Sequence, residues 1–71
     1  MDMKNYNVTF AVGRFIDLPA DCTKEQLELR TTGVETTLVD AEGVDHAIFR
    51  VVSPRGGSDN CRVISIWEHV S

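Results

Sequence analysis

Two runs of strand-forming residues, Ala47–Val52 and Cys61–Val70, enclose eight consecutive turn formers, Ser53-Pro54-Arg55-Gly56-Gly57-Ser58-Asp59-Asn60. Such a pattern predicts a β-hairpin with a long loop. Both runs carry apolar residues on both parities: Phe49 and Val51 against Ile48 and Val52, then Val63 and Trp67 against Ile64, Ile66 and Val70. A strand with one wet face alternates cleanly, so these runs are expected to be central or covered on both faces.

The clearest alternation lies near the N-terminus. Tyr6, Val8, Phe10 and Val12 interleave with Asn7, Thr9, Ala11 and Gly13, which predicts a strand over Tyr6–Val12 with one apolar face. Residues 1–5 are polar and expected to fray. Gly13-Arg14 suits a two-residue turn with Phe15–Leu18 returning as a strand; the alternative is a bulge at Gly13 in one strand running to Leu18. Pro19 ends the segment either way.

Thr23 with Gln26 three residues on is a capping-box pattern, and Asp21 is a rival cap. A short helix from there to a stop at Gly33 is expected. Its Leu27 and Leu29 are two apart, which is strand spacing, so an extended Leu27–Thr31 competes with it. Val34–Val39 is rich in Thr and Val and reads as a strand. Asp40-Ala41-Glu42-Gly43 fits a type I turn, with Val44–Val52 returning. The expected architecture is α+β: a small antiparallel sheet of four or five strands, with one short helix packed on one face. Short connections favour antiparallel neighbours.

With 71 residues the chain is expected to be a single domain, residues 1–71. A body this small has little core to give up to a cleft, which argues against an enzyme. The first residues carry no apolar signal segment and no run is long enough to span a membrane, so no membrane partner is expected and the expected compartment is the cytoplasm. Cys22 and Cys61 are then expected to be reduced, Cys61 buried in its strand and Cys22 near the helix start; a disulfide between them is the lesser reading.

Charge is unevenly spread. Residues 17–45 hold eight carboxylates against Lys24 and Arg30, in a chain of net charge −4. An acidic middle attracts basic protein surfaces and repels nucleic acid; its plainer reading is a solvated surface. Arg50, Arg55 and Arg62 lie near Phe49 and Trp67, a weak stacking-platform pattern, but a pI near 4.9 argues against direct nucleic-acid binding.

No motif carries chemistry. His46, His69, Cys22 and Cys61 lack the close pairing of zinc ligands, so no metal is expected. Asp40, Glu42 and Asp45 around Gly43 lack the further oxygens of a calcium loop. The Gly56-Gly57 segment lacks the following helix of a phosphate loop. No elbow motif surrounds Ser53, Ser58, Ser65 or Ser71, so no catalytic residue and no cofactor is assigned. The leading expectation is a small acidic protein-binding module, an inhibitor or adaptor that occludes a basic partner surface. Phage-encoded proteins directed at host nucleic-acid or defence machinery are one such class. Glu35, Asp40, Glu42 and Asp45 are its expected contacts, with Arg55 as a second contact. Self-assembly through sheet edges, a homodimer included, is the first alternative. A small-ligand or metal binder using the Cys and His residues is the second.

Overall fold

In the computed structural model the described residues run from Met3 to His69; of residues 1–5, expected to fray, 1–2 lie outside them, as does the last residue of the 61–70 run, while Lys4 and Asn5 are strand, which corrects the expectation there. The elements are β1 (Lys4–Gly13), α1 (Lys24–Arg30), β2 (Thr31–Ala41), α2 (Val44–Val52), two single-turn 3-10 helices (Ser53–Arg55 and Gly57–Asp59) and β3 (Cys61–Glu68). The class is α+β, with a three-stranded antiparallel sheet in the order β2-β1-β3 and two short helices. The expectation of four or five strands and one helix is corrected on both counts.

The principal correction is α2. Val44, Ala47, Ile48, Val51 and Val52 fall at helical spacing, and the same residues fill both parities of a strand. A short apolar run does not separate the two by periodicity. Topology does. β2 and β3 both run antiparallel to β1, so they are parallel to one another with β1 between them. Parallel strands cannot be joined by a tight hairpin; they need a crossover, and α2 supplies it. Ala47 and Val51 are buried against the sheet, so packing outweighs the poor helix propensity of the valines and Ile48. Residues 53–60 are accordingly no hairpin loop but the link from α2 to β3. Gly56 and Gly57 take φ of 95° and 79°, the left-handed region that favours glycine. β3 is an edge strand, not a central one.

Tyr6–Val12 forms the middle of the central strand, which also takes in Lys4 and Asn5. The expected return strand Phe15–Leu18 is absent: the chain leaves β1 at Gly13 and turns irregularly. A Cβ on Gly13 would lie 2.1 Å from the Arg30 carbonyl oxygen and 2.9 Å from the Phe15 ring, so this close crossing requires glycine. α1 forms with the full capping box. The Gln26 N–H donates to Thr23 Oγ1 (3.1 Å) and the Thr23 N–H to Gln26 Oε1 (3.0 Å). It does not run to Gly33. Thr31 closes it, its hydroxyl donating to the Leu27 carbonyl and its N–H to that of Glu28, and β2 begins at once. The turn expected over residues 40–43 comes later, because β2 continues through Ala41 and the bend falls at Glu42-Gly43.

The main core lies between the sheet and α2: Tyr6, Val8 and Phe10 from β1, Ala41 from β2, Ala47 and Val51 from α2, and Cys61 from β3. Ala11 and Phe15 are also buried but lie outside that cluster. Alternation puts Ala11 on the opposite face of the sheet.

A candidate acidic interaction surface

The structure separates the four carboxylates singled out above. Asp40 ends β2, Glu42 sits in the following bend, and Asp45 occupies the first turn of α2, so these three gather at one corner. Glu35 stands apart. Five residues of strand place it about 17 Å from Asp40. It also points to the other face, for it pairs with buried Phe10 whereas Asp40 pairs with Asn5. All four are exposed.

The corner is built by its own hydrogen bonds. The Glu42 N–H donates to His46 Nδ1 (3.2 Å), and Arg50 Nη1 donates to the Asp40 carbonyl oxygen (2.6 Å). Among the described residues the carboxylates themselves enter no ion pair. The two salt bridges among the described residues are Lys4–Glu68 and Arg30–Asp17. Arg30 grips Asp17 with both terminal nitrogens, which holds the Asp17 carboxyl below its ordinary value and raises the Arg30 guanidinium.

Four of the five arginines use side-chain donors within the fold. Besides Arg30 and Arg50, Arg55 donates to the Val51 carbonyl (2.8 Å), with its guanidinium 4.7 Å from the centre of the Phe10 ring. Arg55 is therefore not the tip of a loop: it closes the C-terminal end of α2 and, like Glu35, stands beside Phe10. Arg62 donates to the carbonyls of Ser58, Pro19, Phe15 and Leu18. These four guanidiniums are thus held by acceptors within the fold, while Arg14, Lys24 and the corner carboxylates are exposed.

The thiols and imidazoles do not converge. Cys61 is buried in the main core, where burial raises its thiol pKa. Cys22 lies before α1; both thiols are free. His46 serves the corner, and His69 Nδ1 accepts from Asn7 Nδ2 (3.3 Å) at the far end of β3. Among the described residues no group of three His, Cys, Asp or Glu side chains is arranged to hold a metal ion. Among the hollows formed by the described residues are two open ones. The first, about 470 Å³, has Cys22, Lys24, Leu27 and Arg62 in its wall and no carboxylate or imidazole. The second, about 430 Å³, lies beside Phe49 and Val52 with Asp45 at its rim.

Sequence reasoning missed the sheet face turned away from α2. Val34, Leu38 and Trp67 are large, apolar and about half exposed or more. Val34 and Leu38 share a parity within β2, and that spacing was the available signal. No helix is long and apolar enough to cross a membrane among the described residues. No known family, curated protein or solved structure matches the chain.

Proposed function

We propose that this chain is a non-enzymatic, cytoplasmic protein-binding module that occludes a basic surface on its partner. The corner formed by Asp40, Glu42 and Asp45 is the primary contact. Glu35 and Arg55, beside Phe10 on the α2 face, form a secondary one. The observation that carries the reading is the division of charge. Arg30, Arg50, Arg55 and Arg62 bind acceptors within the fold, and the corner carboxylates are exposed with no ion-pair partner among the described residues. Carboxylates left unpaired on a small body steer encounter with a positively charged surface and reject a negatively charged one. An inhibitor or adaptor works this way without chemistry of its own, and a phage-encoded blocker of host nucleic-acid or defence machinery fits the same description.

The test is affinity capture from lysate of the source organism, in parallel with wild-type protein and the triple variant Asp40→Lys, Glu42→Lys, Asp45→Lys. A basic protein retained by the wild type, released by salt and absent from the variant supports the reading. Identical captures by the two proteins overturn it.

A further inference from the structure

The free edge of β2 is the least protected element of the fold. β3, the other edge, carries a bulge: Thr9 pairs with Ser65 and Phe10 with Val63, leaving Ile64 unpaired. Bulges of this kind disrupt a flat pairing edge. β2 has eleven residues, Thr31–Ala41, with no proline or lysine and with Glu35 as the single charge before Asp40.

Backbone directions along β2 follow from those of β1. The Asn5 carbonyl accepts from the His69 N–H, and the Gly13 N–H donates to the Asn60 carbonyl. Odd-numbered residues of β1 therefore address the β3 side, and even-numbered ones address β2. Their partners Gly33, Glu35, Thr37 and Val39 turn their peptide groups inward, so Val34, Thr36, Leu38 and Asp40 turn theirs out. Arg50 already covers the Asp40 carbonyl. At the other end, Thr32 is the extra residue where Val12 pairs with Gly33 and Gly13 with Thr31. The open acceptors and donors are those of Val34, Thr36 and Leu38, and their midpoint is Thr36.

We propose that two copies of this chain pair antiparallel along β2 about a two-fold axis at Thr36, joining their sheets into one of six strands. This concerns self-association and does not rest on the acidic corner. In this register Thr36 exchanges both peptide hydrogen bonds with the partner's Thr36, and Val34 lies beside the partner's Leu38 on the face away from α2. Those two side chains are 59% and 55% exposed in the single chain, and each covers the other's copy. A register centred one residue later sets Val34 against Asp40, an apolar side chain against a charge. One centred a residue earlier sets the two Glu35 carboxylates opposite each other, which is destabilising. The Thr36 register sets Glu35 opposite the partner's Thr37 and keeps the two acidic corners at opposite ends. It also brings the partner's Glu42 level with Arg30, next to exposed Arg14, whose N–H donates to the Arg30 carbonyl. The Thr36 hydroxyl already bonds Thr9 Oγ1 (2.9 Å), so the side chain is held over its own sheet and the edge is left clear.

The experiment is sedimentation equilibrium of the full chain from micromolar to millimolar concentration, for wild type, Thr36→Lys and Thr36→Pro. A wild-type dimer is expected, with a dissociation constant weakened at least about 30-fold in both variants as the pairing bonds are lost or two lysines face each other. Far-UV circular dichroism reports folding, and if Thr36→Pro does not fold, Thr36→Lys decides. On a Cys22→Ser background, Thr36→Cys is expected to cross-link across the axis under oxidation, and Glu35→Cys is not. A wild-type monomer at millimolar concentration overturns the proposal, as does a dimer indifferent to Thr36→Lys.

Discussion

Arg62 holds its guanidinium 5.5 Å from the centre of the Phe15 ring and donates from the same group to the Phe15 carbonyl. With further bonds to Leu18, Pro19 and Ser58, this one side chain of β3 fastens the irregular segment that follows β1. The Phe15 and Pro19 carbonyls also accept turn N–H groups, from Leu18 and Cys22, and Arg62 adds a charged donor to each.

Arg62→Ala is therefore expected to lower stability by about 2–4 kcal/mol, since several acceptors lose a charged donor at once. Arg62→Lys should recover little, because an ammonium cannot reproduce the planar fork. Urea denaturation of the three proteins measures both differences.

Two glycines should respond in opposite ways. Gly13→Ala drives a methyl into the Arg30 carbonyl and is expected to cost about 2 kcal/mol or more. Gly33→Ala meets no atom within 4 Å and has no positive φ, so it is expected to be neutral or to stabilise by about 0.5 kcal/mol. Thermal unfolding midpoints of the two variants make the comparison.

Much of this was legible beforehand, and the failures have one cause. The alternation of Tyr6, Val8, Phe10 and Val12 was plain because β1 is covered differently on its two faces. The Thr23–Gln26 box was plain because capping is local chemistry. Val44–Val52 misled because valine and isoleucine favour strands locally, and only the parallel relation of β2 to β3, which no local pattern records, makes that run a crossover helix. Phe15 and Arg62 are 47 residues apart, so their pairing carries no local signal either. At the candidate site, the grouping of Asp40, Glu42 and Asp45 could be read from adjacency. The divergence of Glu35 from Asp40 depended on knowing that β2 continues through both, on opposite parities.

The Arg30–Asp17 pair gives a pH signature. Because Arg30 lowers the Asp17 pKa from its ordinary 3.8, the pair stabilises the fold at pH values above that figure and the contribution is lost as pH falls through the lower, folded value. Urea midpoints from pH 6 to pH 2 should show wild type above Asp17→Asn at the upper end, with the two converging at the acid end.

The cysteines should differ in reactivity. Cys61 is buried beneath α2 and its thiol pKa is raised by that burial, whereas Cys22 is partly exposed. Native protein treated with iodoacetamide is expected to be alkylated at Cys22 first and at Cys61 only on unfolding, as read by peptide mass. A raised folded pKa also means that the Cys61 contribution to stability is lost as pH rises past the unfolded thiol value.

The acidic corner is tested most sharply by the association rate of the captured basic partner, followed by stopped flow across ionic strength for wild type and the triple charge-reversed variant. Fast association that falls steeply with salt is expected of the wild type, and slow association that does not fall with salt is expected of the variant, whose corner repels a basic surface. Equal rates and equal salt dependence in the two proteins would contradict the corner's role.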